Sequence, residues 1–448
     1  YSTPPVAPFA YDNAAAGKGS AGARGALSDR RDLTAHQEIA MAQQPMSEKP
    51  STPIPGWYGV NPETMDLKFD PHYRYRELRE SQPVNLTPNN EWRLSRYNDI
   101  QRLLKHSHSG MRDTEGLIPG ETREETDASR FMLRMDPPDH DRIRRLVSKA
   151  FTPRALDAIR PAIQPVIDQE LDRVAALGRM DIVSDLALMV PAASMCAMLG
   201  VPFEDRDRLS RLVSVATYRL AKRQLPELQD AAEAAITELA EYMFALIEQR
   251  RDEPSDDILG LMVAAEEAGD RLDTEELLQQ SIGLLIAGLE TTIGLIANGM
   301  VAFSRNPDQF ERLAHHPELI HSAVEECLRY EPSVAYTVRI LWEDMDFDGF
   351  TIPANSIVWA VLIAANRDPE VFTDPDRFDI GRNEARHCSF GGGIHFCLGS
   401  HLARLNAELA LLGMAERFTN IRIDEAAIEW APSLFRIPGR IPATFDHR

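Results

Sequence analysis

The sequence predicts a single, mainly α-helical domain with a minor β region. Three observations predict it. Apolar residues recur at three- and four-residue spacing through most of the chain from Asp157 to Phe418. Strand signals are short and confined to two places. No Pro/Gly-rich linker divides the chain after residue 60, and no period of about 20–50 residues repeats.

The elements follow in chain order. Residues 1–50 are rich in Ala, Gly, Ser, Pro and Gln and carry no periodicity. They read as a disordered leader, or a segment appended to a natural start at Met41 or Met46. That segment lacks the apolar core of a secretory signal, and Asp12, Asp29, Asp32 and Glu38 weigh against a transit peptide. Residues 51–448 form the domain. Trp92 and Leu94 alternate within Glu91–Ser95 as in a strand. Helices are expected over Arg160–Leu177, Leu228–Arg251, Thr274–Ser304, Pro317–Tyr330 and Ser400–Phe418. Thr337–Thr351 and Ser356–Ile363 alternate, and Asp348-Gly349 suggests a hairpin-like unit. Ile282–Phe303, about 22 residues, is long enough to span a bilayer. Glu290, Thr291 and Thr292 lie near its middle with glycines close by, so it reads as a helix buried in a soluble core.

Composition narrows the function. The 448 residues are 44% hydrophobic, enough for a large core. The net charge of −21 disfavours nucleic acid and anionic membranes as partners. Four cysteines (196, 327, 388 and 397) at irregular spacing make no disulfide framework, which fits a reducing cytoplasm.

The most informative stretch is Phe390-Gly-Gly-Gly-Ile-His-Phe-Cys-Leu-Gly399. Glycines let the backbone wrap closely around the Cys397 sulfur. The helix that follows offers N–H groups and a positive dipole end, both favourable to a thiolate. One thiolate without a second ligand at zinc spacing suits axial ligation of a haem iron better than a tetrahedral site. A dinucleotide fingerprint fails, because Phe396 stands where a third Gly belongs, and no Gly-Lys-Ser/Thr follows for a phosphate loop. A buried, inert cysteine is the plain alternative.

Three other segments carry chemistry. In Ala287-Gly-Leu-Glu-Thr-Thr292 an ionisable side chain sits inside an apolar helix, which is costly. A Thr291 hydroxyl bonded back to the Ala287 carbonyl would loosen the ladder, and Gly288 would let a ligand approach. The alternative is a kinked core helix with Glu290 turned to a crevice. In Glu326-Cys-Leu-Arg329 the two charges share one helix face, which by itself means only a surface pair worth about 0.2–0.5 kcal/mol. In Asp136-Pro-Pro-Asp-His-Asp-Arg-Ile-Arg-Arg145 a helix start places His140 and Arg144 on one face, ordinarily a basic solvent-facing turn.

Together these segments resemble the cytochrome P450 family, of the soluble bacterial type, over roughly residues 55–448. Phe390, Gly393, His395, Cys397 and Gly399 fill every position of its pattern Phe-x-x-Gly-x-[His/Arg]-x-Cys-x-Gly. The resemblance implies the P450 fold, a single domain around a buried haem b (iron protoporphyrin IX). It makes Cys397 the metal ligand in a cofactor-binding loop with Phe390, Gly391, His395 and Gly399. His140, Arg144, Arg339 and His395 would face the haem propionates, with Ala287 and Gly288 lining the cofactor. Glu290 and Thr291 would be catalytic: Thr291 bonding the oxygen being activated, Glu290 relaying protons. Glu326 and Arg329 would join Arg377 of Asp374-Pro-Asp-Arg-Phe378 in a buried cluster holding the Cys397 loop.

The implied activity is monooxygenation of a small lipophilic substrate by O2, as hydroxylation or epoxidation. Electrons would come from NAD(P)H through an external ferredoxin reductase and ferredoxin, to a cytoplasmic monomer. Arg142, Arg145 and Lys149 would form a basic patch for that acidic partner. Expected pocket walls are Ile286, Ala287, Gly288, Ala335, Tyr336, Leu434 and Phe435, with lids over Leu104–Phe131 and Val201–Leu228. A peroxygenase driven by hydrogen peroxide and a non-catalytic haem-binding protein are the competing functions.

Overall fold

The computed structural model describes residues 72–448, apart from 88–89, 114–116, 118–128, 150, 152–157, 222–227, 268–271, 385, 432 and 434. The expected leader, Leu434, the middle of the first expected lid and the end of the second (222–227) therefore lie outside the described residues.

The described residues form thirteen α-helices. They are α1 (His72–Ser81), α2 (Tyr97–Leu104), α3 (Asp139–Ser148), α4 (Arg160–Ala175), α5 (Met189–Leu199), α6 (Arg206–Ala216) and α7 (Gln229–Asp252). They continue with α8 (Ile258–Glu267), α9 (Thr274–Arg305), α10 (Pro307–His315), α11 (Ile320–Tyr330), α12 (Leu362–Ala365) and α13 (Ser400–Arg417). The expected helices are found with ends shifted by one or two residues, except that Pro317–Leu319 is a separate 3-10 turn before α11.

The main sheet has five strands: β1 (Val84–Leu86), β2 (Trp92–Leu94), β3 (Ser109–Gly110), β5 (Thr337–Leu341) and β8 (Ile357–Ala360). Their order is β1-β2-β8-β5-β3, with β2 and β8 parallel and the other pairs antiparallel. The expected hairpin-like unit is divided. β6 (Met345–Phe347) and β7 (Phe350–Ile352) pair only with each other. Their turn is Asp348-Gly349, both at positive φ (51° and 82°) as a tight two-residue hairpin needs. Residues past Ala360 form the short α12 instead of continuing the strand. β4 (Arg179–Asp181), β12 (Pro442–His447) and β9 (Phe418–Ile423) make a three-stranded sheet, and β10 (Glu429–Trp430) pairs with β11 (Pro438–Arg440).

One large core joins α3 to α11 with α13; a second, smaller one backs the five-stranded sheet through Leu94, Ile100, Leu341 and Val358. α9 is the axis of the first. It is the only helix among the described residues long and apolar enough to cross a membrane, and 78% of that window is buried in the protein. A capping box starts it: the Asp273 carboxylate accepts from Glu276 N–H at 2.8 Å, and the Glu276 carboxylate accepts from Asp273 N–H at 3.0 Å. Asp273→Ala should lower stability by about 1 kcal/mol, read as a fall in the urea midpoint with unchanged slope.

Candidate functional site

The Cys397 loop is shaped by backbone geometry before any side chain acts. Gly391 and Gly393 have φ of 68° and 66°. At Gly393 a Cβ would also stand 2.0 Å from the Leu104 carbonyl oxygen, so both conformation and space require glycine there. Cys397 N–H donates to the Phe390 carbonyl at 3.0 Å, and Gly391 N–H to the Cys388 carbonyl at 2.7 Å, closing the loop. Gly399 then caps α13. Phe390 packs on Phe396 and lies beneath the Arg404 guanidinium, 4.6 Å from its ring centre.

Burial pushes the Cys397 thiol up, while the Gly399 N–H, Arg144 and Arg404 pull toward the thiolate. Arg144 donates to the Phe396 carbonyl at 2.6 Å, on the loop itself, so its hydrogen-bond partner here is backbone.

The other expected cations converge. His140 is buried, its ring centre 4.4 Å from that of His395. Its Nδ1 pairs with Asp141 at 2.9 Å, and its Nε2 is buried without a hydrogen-bond partner. Arg339, on β5, is buried too. It reaches the Val338 carbonyl at 2.8 Å, Met111 Sδ at 3.1 Å and the Gly392 carbonyl at 3.5 Å, but among the described residues no carboxylate within hydrogen-bond range. Desolvation pushes its pKa down to about 10, with Asp136 opposing.

Among the described residues, Asp141 is the carboxylate against His140, and Asp136 the one that acts on Arg339 and His395. The Asp136 carboxylate accepts from Met111 and Arg112 N–H and lies 3.5 Å from His395 Nε2. Burial opposes its ionisation, yet those three donors hold its pKa below the usual value. A buried arginine hydrogen-bonded to no carboxylate among the described residues, and the orphaned His140 Nε2, leave buried donors without an anionic partner. That fits a cofactor bearing two carboxylates, such as the haem expected from the sequence.

α9 faces this region with a gap in its burial. Leu285, Leu289, Glu290, Thr292 and Ile293 are buried, whereas Ala287 is exposed and Ile286, Gly288 and Thr291 are half-buried. The Thr291 hydroxyl donates to the Ala287 carbonyl at 2.8 Å, the i−4 bond read from the sequence. Gly288 has a different reason from the expected one. A Cβ there would meet Met195 Sδ at 2.8 Å, so its bareness lets α5 pack against α9.

Glu290 is not turned to an open crevice. It is 7% exposed and accepts from the Ser433 hydroxyl at 3.1 Å, with Thr217 as a second hydroxyl partner. Desolvation pushes its pKa up to about 7, with the two hydroxyls opposing. Neither Ser433 nor Thr217 stood out in the sequence; both come from distant segments with no motif around them.

The loop-holding cluster needs one correction. Glu326 and Arg329 form a bidentate pair at 2.7 and 2.8 Å, both side chains at most 2% exposed. The second guanidinium is that of Arg382, whose Nε lies 3.2 Å from Glu326, not Arg377. Arg377 is 63% exposed and pairs with Asp379 at 3.6 Å. Asp374 takes positive φ (45°), and this turn presents the Arg377 carbonyl, not its side chain, to Arg329 and Arg382, at 3.0 Å each.

Asn366 links the cluster to the loop. Its carbonyl accepts from Arg329 at 3.0 Å, while its side chain joins Cys388 N–H and the Ser389 hydroxyl at 2.7 Å each. The expected walls divide as well. Phe435 packs on the main core, but Ala335 and Tyr336 pack with Tyr75 and Leu78 of α1. Arg142 of the basic patch reaches Glu276 at the start of α9, whereas Arg145 and Lys149 are exposed.

Comparison with known proteins bears on all of this. A family model described as Cytochrome P450 matches residues 83–426. Cytochrome P450 107B1 of Saccharopolyspora erythraea is 38% identical over 367 residues, 79% of this chain and 89% of the relative. Vitamin D(3) 25-hydroxylase of Pseudonocardia autotrophica is 39% identical over 349 residues, 76% of this chain and 85% of the relative. The crystal structure of CalO2 superposes with a TM-score of 0.79 at 31% identity, covering 85% of this chain and 97% of that one.

Proposed function

Since the chain belongs to the cytochrome P450 family, whose cofactor is haem, we propose that it hydroxylates or epoxidises a small lipophilic molecule with O2, using Cys397 as the iron ligand. Haem supplies oxygen activation, favoured by electron donation from a thiolate. The residues present fit it. Cys397, in a loop fixed by Gly393, offers the sulfur. Arg339, His140 and His395 would offer donors to the propionates, and the exposed Ala287 and half-buried Thr291 would leave the cofactor room.

The observation that carries the oxygenase reading is the Glu290-Thr291 pair. The Thr291 hydroxyl is half-buried beside a loosened helix carbonyl. Behind it, Glu290 is tuned by burial to about neutral pH, where it both gives and takes a proton. Ser433 and Thr217 orient that carboxyl. A peroxygenase would not need such a relay, because peroxide already carries the protons and electrons.

Electrons are proposed to arrive from NAD(P)H through a ferredoxin reductase and an acidic ferredoxin. Arg145 and Lys149 are exposed for docking, while Arg142 is engaged by Glu276. A cytoplasmic setting is proposed with this, in keeping with four cysteines that form no disulfide.

The test is product yield per NADPH with a ferredoxin pair and a lipophilic substrate. Thr291→Ala should leave NADPH oxidation running while product falls about tenfold or more, with the electrons leaving as hydrogen peroxide. Unchanged yield, alongside fast peroxide-driven turnover, would favour the peroxygenase. Haem binding with no oxidised product under any condition would favour a non-catalytic role.

Glu290 also makes a stability prediction. Its folded pKa of about 7 lies above the ordinary 4.5. The folded state is therefore favoured below about pH 4.5 and loses stability as pH rises to about 7. The full loss is about 3 kcal/mol. Glu290→Gln should raise the thermal midpoint at pH 8 and change it little at pH 5. A gain equal at both values would mean that burial does not shift this carboxyl.

A further inference from the structure

Just past α2 the chain runs His106-Ser-His108 into β3. β3 pairs antiparallel with β5, Ser109 opposite Leu341 and Gly110 opposite Ile340. The ladder continues one rung further, Trp342 N–H donating to the His108 carbonyl at 2.8 Å. That register brings Glu343, the next residue, alongside both histidines. One Glu343 carboxylate oxygen lies 3.3 Å from His106 Nε2 and 3.1 Å from His108 Nδ1. The three ligand atoms all lie within 4.8 Å of one another.

We propose that His106, His108 and Glu343 form a surface site for a borderline divalent cation of the Zn²⁺ class, outside the haem site. Two ligands held about 2.0–2.1 Å from a tetrahedral ion stand about 3.3 Å apart. Two edges of such a polyhedron are therefore already set. Two imidazoles with one carboxylate suit Zn²⁺ with water in the fourth position. The backbone ladder between β3 and β5 holds the ligands together without the ion, which reduces the ordering cost of binding. His106 is half-buried and His108 and Glu343 are exposed, so a hydrated ion can enter.

Without the ion the group is a hydrogen-bonded cluster. His108 N–H donates to His106 Nδ1 at 3.3 Å, which leaves the proton on Nε2, facing Glu343. Cation binding moves that proton to Nδ1 and gives up the long 3.3 Å bond. The imidazole stays neutral and no covalent bond changes besides N–H.

The ion would act as a clip. β3 leads directly into Met111 and Arg112, whose N–H groups hold Asp136, which in turn faces His395 of the Cys397 loop. Fastening β3 to the residue after Trp342 would stiffen the β3–β5 edge, which carries Arg339 and reaches His395 through Asp136.

The experiment is calorimetric titration of tag-free holoprotein with ZnCl2. His108→Ala, Glu343→Gln and a His106→Ala/His108→Ala double variant are run beside it, each checked for haem content. The wild type should bind one equivalent, each single variant at least about tenfold more weakly. Zn²⁺ should raise the thermal midpoint of the wild type and not of the double variant. Equal binding by wild type and double variant, no saturable binding, or binding without a thermal shift would each overturn the proposal.

Discussion

Glu326→Gln should cost about 3–5 kcal/mol and leave little haem-loaded protein. The Glu326 carboxylate receives two bonds from Arg329, Asp379 N–H at 2.8 Å and the Arg382 guanidinium. Gln offers one acceptor oxygen and turns an NH2 toward donors. Arg329 would then be buried without its counter-charge, and Arg382 would keep only Glu384, at 2.7 Å. The damage would pass through Asn366, whose backbone is bonded to Arg329 and whose side chain ties down Cys388 and Ser389, just ahead of Phe390. The control is internal. Arg382→Ala should also destabilise strongly, while Arg377→Ala, at an exposed side chain, should stay within about 0.5 kcal/mol. Urea unfolding of the holoprotein measures all three. Equal losses at Arg377 and Arg382 would contradict the cluster described here.

Cys397→Ala should reduce oxygenation to background, because no other thiol can replace it. Cys196, Cys327 and Cys388 are buried, and burial pushes the Cys196 and Cys388 thiols up to about 11 and Cys327 higher still. Cys196 has Arg206 alone, Cys327 a backbone hydrogen bond alone and Cys388 Gln101 and Lys105, whereas Cys397 has two arginines together with the Gly399 N–H. Their conversion to Ala should lower stability by about 1 kcal/mol each and leave turnover per haem unchanged. Loss of turnover in one of them, with Cys397→Ala still active, would move the ligand elsewhere.

What the sequence made legible is what is local along the chain. α9 is bounded to within a residue because its apolar run is long and sustained. The Cys397 loop was legible because its glycines, its thiol and the following helix are contiguous, and Gly393 proves to be fixed by both φ and space. The Thr291 bond to Ala287 follows from helix geometry alone.

The rest depended on contacts between remote segments. Arg377 and Arg382 lie in one loop of similar composition, and only the turn at Asp374 decides which side chain goes inward. Ser433 and Thr217 meet Glu290 from different ends of the chain. In the sequence Asp136 stands only within a helix-start segment, yet its carboxylate faces His395. The hairpin-like unit is present, as the β6–β7 hairpin and the antiparallel β5–β8 pair, but alternation cannot say which further strands join it. β5 and β8 joined a sheet with β2 and β3 from the other end of the domain.

The most direct measurement is the carbon monoxide difference spectrum of the dithionite-reduced protein beside its Cys397→Ala variant. A strongly red-shifted Soret band, present in the first and lost in the second, is the result this account predicts. A band typical of histidine-ligated haem in the unaltered protein, or a red-shifted band that survives in Cys397→Ala, would contradict it.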